Sequence, residues 1–432
     1  MTVPAASPTP LSMALHSTRK TRAGALLLCG WATLAGCGED AVRYPDALDG
    51  GWAAPRPPRW GEPDGGAAGY AFVTNSLMNS VSILDLGARR TVATIPVGVT
   101  PLAENGPHHL AVSTRDNAVY MPLSFPPPNI PSGPHAAHGS ASRPGVFIKR
   151  SLDDFRLLGR VDIDPNPGEM VLSPDGRRAF ISHFDLRRAQ LNPGDRAMQR
   201  SNLVVVDTRT MEREFTVPLC VAAHGMAMAP DGSALYAACY GEDALAVVSL
   251  TGPRPEVTLV PVRDQLAANP TAPTYGPYSV TAAPDGRTVW VGCSAIGGSR
   301  GLFIAFDPAT RRFDTARALT TLPGSPMFGA YAPDGNSLVL PLQGRDAVAR
   351  ITTAAPLRVI DQRALPAEDC LLPHVVSRGP DGLYYLVCEG RHDRLREEPG
   401  TVLALHPDTL EVVARYGVGE FPDAIAFTEA RR

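Results

Sequence analysis

The sequence lacks several features that would point to a particular function. Its 40 lysines and arginines nearly balance 43 aspartates and glutamates, and no basic stripe with interleaved aromatics is present, so we expect no nucleic-acid partner. After residue 37 no apolar run reaches about 18 residues, so no transmembrane helix is expected there. The chain has no Cys-x-x-Cys-His motif for covalent haem and no glycine-rich phosphate loop. No segment has the pattern of a long amphipathic helix, which favours an all-β fold.

The N-terminal segment predicts export and a lipid anchor. Basic residues at positions 19, 20 and 22 precede an apolar stretch, residues 23–35, that is too short to cross a membrane and has the order of a secretory signal. It ends in Leu34-Ala35-Gly36-Cys37, which resembles the lipobox of bacterial lipoproteins and implies a lipid on Cys37. Because Gly38 follows, the resemblance implies the outer membrane. The alternative is an ordinary signal peptide with an incidental cysteine.

These patterns predict three parts of the chain. Residues 1–36 are a lipoprotein signal peptide, residues 37–66 are a flexible tether rich in Pro, Gly and Asp, and residues 67–432 are the folded domain. We expect a protein that is extracytoplasmic, held to the bacterial cell envelope by its lipid, and monomeric.

The folded domain is built from a repeat of about fifty residues. Pro-Asp-Gly recurs at 174–176, 230–232, 284–286, 333–335 and 380–382. An apolar run precedes each copy and an alternating run follows it, which is the pattern of a β-hairpin whose turn needs the positive φ of glycine. A third run and a polar turn complete a unit of four strands. Four antiparallel strands at this period predict the blade of a β-propeller.

The first copy of the repeat, residues 71–98, is one strand short. Its "VTN…VSILD…VATIPVG" closely resembles the YVTN family of propeller repeats, and the looser resemblance elsewhere covers about 69–430. A single strand, 421–430, ends the chain without partners after it. We therefore predict an all-β, seven-bladed β-propeller in which the N- and C-terminal strands share one blade and close the ring.

One end of the predicted channel carries both the long loops and most of the histidines. The insertions at 124–145, 184–201, 261–277 and 389–400 all fall at the end where the innermost strands begin, and long loops on a rigid scaffold mark a functional face. Eight of the nine histidines after Cys37 map there, including His135 and His138, and His406 is the exception.

Aligning the starts of the innermost strands predicts a ring of side chains around the channel. Its members are Asp423, His108, Gly168, His224, Tyr278, Met327 and His374, with Gly168 leaving space beside its neighbours. Imidazoles and a carboxylate converging on one axis are ligands that zinc, copper or iron accept, and Met327 would be a soft ligand for copper. The candidate metal ligands are His108, His224, His374, Asp423 and His183. The same residues also suit acid–base chemistry, or a channel lined with solvated polar groups.

The cysteines form a second pattern. Cys220-x3-His224 followed by Cys239 recurs as Cys370-x3-His374 followed by Cys388. Outside the cytoplasm this predicts two disulfides within blades, Cys220–Cys239 and Cys370–Cys388, and leaves Cys293 free. The alternative is thiolate ligation of a metal beside the neighbouring histidines.

Two functions of different classes remain open from the sequence. The first is a lipid-anchored binding or scaffold module that presents its loop-rich face to a protein, a glycan or a small ligand without turnover. The second is a metal-dependent redox enzyme, or an enzyme like the lactonases and cycloisomerases whose propellers this chain resembles, with a histidine-rich site at the channel mouth.

Overall fold

The protein is described here from a computed structural model, which covers residues 68–100, 104–126, 139–262, 274–294, 301–393 and 396–428. The predicted signal peptide, the tether, Cys37, His135 and His138 lie outside these residues. No helix within the described ranges is both long and apolar enough to cross a membrane.

Seven antiparallel sheets form the blades of a β-propeller, as the repeat predicts. The strands of blades 1 to 3 are β1 (Tyr70–Asn75), β2 (Ser80–Asp85), β3 (Arg90–Pro96); β4 (Gly106–Pro107), β5 (Ala111–Ser113), β6 (Ala118–Ser124), β7 (Gly145–Ser151), β8 (Leu157–Ile163); and β9 (Pro167–Leu172), β10 (Arg178–His183), β11 (Ser201–Asp207), β12 (Glu212–Cys220).

The strands of blades 4 to 6 are β13 (Ala223–Met228), β14 (Ala234–Cys239), β15 (Ala244–Ser249), β16 (Glu256–Pro261); β17 (Pro277–Ala282), β18 (Val289–Cys293), β19 (Gly301–Asp307), β20 (Arg312–Leu322); and β21 (Ser325–Pro326), β22 (Ala330–Tyr331), β23 (Ser337–Gln343), β24 (Ala347–Thr352), β25 (Val359–Ala364). Blade 7 contains β26 (Pro373–Arg378), β27 (Tyr384–Cys388), β30 (Pro399–Leu405) and β31 (Val412–Glu420). In blades 2 and 6 the innermost strand is interrupted, so two short segments pair with the second strand.

An N-terminal and a C-terminal strand share one blade and close the ring, which confirms the prediction made from the incomplete first repeat. The last strand, β32 (Pro422–Phe427), pairs antiparallel with β1, so the order in blade 1 is β3-β2-β1-β32. Val73 lies opposite Ile425 in this pairing. The C-terminal strand is therefore the innermost strand of the first blade, and the blade has no unpaired inner edge.

The core is divided into apolar layers between neighbouring blades. Successive side chains of a strand point to opposite faces, and both faces of a blade are covered by the next blade. Tyr384 therefore packs in the layer between blades 6 and 7, whereas Tyr385 packs between blades 7 and 1. This explains why the second and third strands of the blades are almost continuously buried, while the outermost strands are largely exposed or partly buried.

The two ends of the channel differ in their connections. All five Pro-Asp-Gly turns have glycine at positive φ, between 67° and 86°, and lie at what we call the hairpin end. The opposite, loop-rich end carries the insertions. Two of these are structured where the sequence predicts loops: 184–201 contains α1 (Leu186–Leu191) and α2 (Arg196–Gln199), and 389–400 contains the small hairpin β28 (His392–Asp393) and β29 (Arg396–Glu397). A 3₁₀ turn (Tyr240–Glu242) follows β14.

The two predicted disulfides are present. Cys220 is bonded to Cys239 in blade 4, and Cys370 to Cys388 in blade 7, while Cys293 is buried and is not in a disulfide. The four bonded cysteines have no thiolate to offer a metal, so the alternative of thiolate ligation by these residues is wrong.

Candidate functional site

A repeated backbone turn directs side chains into the loop-rich end of the channel. In five blades the second residue of the innermost strand is a member of the predicted ring, and the residue two positions before it has positive φ. These turn residues are Asn166, Ala222, Gly276, Leu372 and Phe421, with φ between 51° and 57°. Because four of the five are not glycine, each adopts this conformation at a cost of roughly 1–2 kcal/mol. The surrounding blade must therefore hold the turn in place.

The same turn positions a second set of residues. The carbonyl of each turn residue accepts a hydrogen bond from the first amide after the second strand. The residues that donate these bonds are Ser76, Phe184, Tyr240, Ser294 and Glu389. We call them the second tier, because four of them contact the ring residue of their own blade or the next. Ser76 bonds Asp423 and Glu389 faces His374, while Phe184 packs on His224 and Tyr240 packs on Tyr278.

The centre of the site is a chain of polar groups across three blades. Asp423 accepts a hydrogen bond from Nδ1 of His108 at 2.7 Å and another from the Ser76 hydroxyl. Nε2 of His108 lies 3.4 Å from Nε2 of His224. Since the carboxylate holds the proton on Nδ1 of His108, the lone pair of this imidazole is on Nε2 and faces His224.

His109 repeats this arrangement beside His108. Its Nδ1 lies 2.7 Å from a carboxylate oxygen of Glu169, and its side chain is only 7% exposed. Nε2 of His109 has no hydrogen-bond partner among the described residues. The rings of the two histidines meet edge to face, with centroids 4.6 Å apart. Two neighbouring imidazoles are thus each fixed from behind by an acidic side chain.

A second polar group, which consists of His374, Glu389 and Asp423, shares Asp423 with the chain that contains His108 and His224. Nδ1 of His374 is 3.1 Å from the backbone oxygen of Asp423 and 3.5 Å from a carboxylate oxygen of the same residue. It is also 3.8 Å from Glu389, whose carboxylate accepts a hydrogen bond from the Gln343 amide at 2.9 Å. His374, Glu389 and Asp423 are fully buried.

Aromatic side chains form the other half of the site. Tyr278 stacks on His224 with ring centroids 3.8 Å apart, and Phe184 meets the same imidazole edge to face. Phe328 contacts His109 and His374 with its ring. Burial, together with the negative charges of Glu389 and Asp423, raises the pKa of Tyr278 well above its usual value, so its phenol stays protonated at neutral pH.

The structure divides the predicted metal ligands into two groups. Among the described residues, two sets of three acidic or imidazole side chains bring one ligand atom each within 4.8 Å of the others. One contains His108, His109 and His224, and the other contains His374, Glu389 and Asp423. Four predicted residues are thus present, divided between the two sets. The sequence does not identify His109 and Glu389 as candidate ligands. It also does not identify Glu169, whose carboxylate contacts Nδ1 of His109.

His183 is not a member of either group, which corrects its inclusion among the candidate ligands. It is the last residue of β10, and its Nδ1 contacts the backbone oxygen of Asn202 in the next strand outward. Because side chains alternate along the chain, Phe184 is the residue that reaches the channel. Burial lowers the pKa of His183 to about 4, so it is neutral at pH 7.

In several blades the residue at the position of His183, the end of the second strand, contacts the residue two places before the turn. The equivalent residues at the ends of the second strands are Cys239 and Cys388, which are joined by disulfides to residues two places before the turn. In blade 3 the matching pair is His183 and Asp164, which interact electrostatically. In blade 1 the amide of Gly419 donates to Asn75 at 2.9 Å. His183 is therefore explained by this repeated contact without a role in the channel.

Gly168 and Met327 differ from what the sequence predicts. A Cβ at Gly168 would lie 2.9 Å from both the Ala223 oxygen and the Ser182 hydroxyl, so this glycine permits close packing of blade 4 and does not leave space in the channel. Met327 is buried in an apolar cluster with Phe184, Tyr278 and Phe328. Its surroundings give no support to a role as a metal ligand.

Comparison with known proteins identifies the class of fold. No protein-family model matches the chain, and no curated protein matches it. Among solved structures it is similar to a candidate 6-phosphogluconolactonase from Bacteroides uniformis, at 14% identity and a TM-score of 0.58 over 84% of this chain and 100% of that one. It is also similar to the periplasmic gluconolactonase of Pseudomonas aeruginosa, at 16% identity and a TM-score of 0.58 over 84% of this chain and 99% of that one. A third similar structure is hydrazine synthase of Kuenenia stuttgartiensis, at 17% identity and a TM-score of 0.53 over 77% of this chain and 94% of that one. These likenesses show the β-propeller fold alone.

Proposed function

We propose that the protein is an extracytoplasmic enzyme that hydrolyses lactones at the loop-rich end of its channel. The observation that carries the proposal is the pair of imidazoles held by carboxylates, His108 by Asp423 and His109 by Glu169. Buried groups of this kind are typical of catalytic sites, because burying charge is unfavourable unless the charge is used or compensated. The lactonase names of two similar structures support the substrate class.

The site contains the groups that this reaction requires. Water must lose a proton as its oxygen bonds to the lactone carbonyl carbon, and the resulting oxyanion must be stabilised. Nε2 of His109 can take that proton directly, or it can hold an ion that acidifies the water. We assign the phenol of Tyr278, whose ring stacks on His224 with centroids 3.8 Å apart, as the donor for the oxyanion. The ring C–O bond then breaks, the leaving oxygen takes up the proton, and a hydroxy acid is released.

Purified protein is expected to open glucono-δ-lactone, its 6-phosphate or an aromatic δ-lactone faster than buffer does. The His109→Gln variant should lose 10²- to 10⁴-fold in kcat/KM, because it lacks the basic nitrogen, and Glu169→Gln should lose less, because the imidazole remains. A pH-stat assay measures the acid released. His406→Gln is the matched control, since His406 lies at the hairpin end and its hydrogen bonds in the described part of the chain are all within its own turn.

Either of two results would contradict the proposal. One is the absence of hydrolysis above the buffer rate for all three lactones. The other is hydrolysis that is equally fast in His109→Gln and in the wild type, with both proteins folded by circular dichroism. The protein would then be better described as a binding module that presents its loop-rich face to a protein, a glycan or a small ligand.

We also propose that the protein resides in the cell envelope, anchored to the outer membrane through Cys37. Two disulfides support an address outside the cytoplasm, because thiols are kept reduced inside it. The mass of the N-terminal peptide of membrane-extracted protein tests the anchor. A diacylglyceryl group on Cys37 supports it, and an unmodified peptide that begins at another residue contradicts it.

A further inference from the structure

We propose that His108, His109 and His224 bind one zinc ion through their Nε2 atoms. The inference deepens the proposed function, on which it rests for the reaction: zinc-bound water, whose pKa is about 7, replaces water that an imidazole deprotonates directly. The binding of the ion itself is independent of the substrate and is tested without it.

The distance between the first two ligands matches a tetrahedral ion. Two imidazole nitrogens bound to zinc at about 2.0–2.1 Å with tetrahedral geometry lie about 3.3–3.4 Å apart. Nε2 of His108 and Nε2 of His224 are 3.4 Å apart. His109 provides the third nitrogen, since ligand atoms of the three histidines all lie within 4.8 Å of one another.

The supporting hydrogen bonds are those of a metal site. Histidines that bind metals commonly donate their other ring N–H to a carboxylate, which fixes the ring and increases its basicity. Asp423 does this for His108, and Glu169 does it for His109, each at 2.7 Å. The same bonds put the lone pair of each ring on Nε2, the ligand atom of the proposed site. Nε2 of His109 is buried and has no hydrogen-bond partner among the described residues.

The second polar group is better suited to supporting the first than to binding an ion. Asp423 already accepts bonds from His108 and Ser76, and Glu389 already accepts one from Gln343. Nδ1 of His374 is directed at the backbone oxygen of Asp423. The carboxylates of Asp423 and Glu389 are fully buried next to the three histidines, and a dication there would offset their charge.

The nature of the ligands favours zinc over the other candidates. Three neutral imidazoles with a fourth position for water form the ligand set of catalytic zinc sites. Of the residues that would favour copper, four cysteines are bonded in disulfides, and Met327 is buried among the apolar side chains of Phe184, Tyr278 and Phe328.

The experiment measures metal in the full chain, exported to the periplasm and purified without chelator or affinity histidines. We expect about one zinc per chain by mass spectrometry, and less than about a tenth of that in His224→Gln and His109→Gln. Asp423→Asn and Glu169→Gln should bind zinc about 10- to 100-fold more weakly, because they lack only the supporting carboxylate. Cobalt in place of zinc should give the strong visible absorption of a tetrahedral ion, which reports the site without any activity assay.

Two control variants keep the result specific. His406→Gln should retain the metal in full, and His374→Gln should weaken binding no more than Asp423→Asn does, because His374 contacts Asp423 and not the proposed ion. Circular dichroism establishes that every variant is folded. The inference is overturned if the wild type binds no zinc after incubation, if the histidine variants retain it, or if only His374→Gln loses it. One equivalent of copper or iron would overturn the choice of zinc. Bound zinc without lactone hydrolysis would refute the proposed function and leave the metal site intact, whereas hydrolysis by metal-free protein would do the reverse.

Discussion

Truncation of the chain after Glu420 is expected to prevent the propeller from forming. It removes β32, the inner strand of blade 1, and leaves β1 with an unpaired edge although all six residues of β1 are buried in the intact protein. It also removes Phe421 and Ile425, which are 2% and 9% exposed. Two such side chains contribute roughly 1.5–3 kcal/mol each, before the strand's hydrogen bonds are counted. The sum, about 3–6 kcal/mol, is a large part of the free energy of unfolding of a typical domain, about 5–15 kcal/mol.

The matched control is truncation after Thr428, which keeps the closing strand. Thr428 still accepts the Tyr70 amide at 3.0 Å and completes the blade. We expect this protein to elute and melt like the full chain, while the shorter one is aggregated or lacks a cooperative transition. Asp423→Asn in the full chain separates the loss of the strand from the loss of its carboxylate. Equal melting temperatures for the two truncated proteins would show that the terminal strand does not close the ring.

Removal of the Cys220–Cys239 disulfide by replacing both cysteines with serine is expected to destabilise the protein and loosen the site. The bond closes a loop with a sequence separation of 19, for which the chain-entropy model gives about 3 kcal/mol. It also fixes the chain next to Ala222, the turn residue that directs His224 into the channel. The variant should therefore unfold at lower denaturant concentration and bind zinc more weakly than the wild type.

Reduction of the wild type provides the comparison for this variant. Dithiothreitol should shift the unfolding midpoint of the wild type by more than that of the variant, because the wild type has two bonds to lose and the variant has only Cys370–Cys388. The corresponding replacement in blade 7 tests the same effect at His374. If neither reduction nor replacement changed the midpoint, the two bonds would not stabilise the folded protein.

The fold was predictable because its signals are local. A Pro-Asp-Gly turn between an apolar run and an alternating run specifies a hairpin, and the count of such units gives the ring. The ring positions at His224, His374, Tyr278 and Asp423 followed from the same alignment, and all four are second residues of innermost strands. The disulfides were found because the cysteines repeat with the blade.

The grouping of the site residues was not predictable, because it depends on contacts between blades. Glu389 follows Cys388 directly, but only the turn geometry shows that it faces His374. The sequence predicts that the His183 side chain faces the channel, but the next residue, Phe184, does so instead. Because neighbouring side chains point in opposite directions, an error of one position moves a predicted channel residue into the blade. Glu169 in blade 3 contacts His109 in the neighbouring blade 2, and the sequence around either residue gives no sign of this contact.

The two ends of the described chain lie side by side at the hairpin end, where a side chain on Gly69 would contact both Thr428 and Pro380. Joining residue 428 to residue 68 by a short linker, and opening the chain at another Pro-Asp-Gly turn, would give a circular permutant that keeps every strand pair. Fused domains or labels attached directly at residue 68 or residue 428 would likewise start at the hairpin end, opposite the channel site.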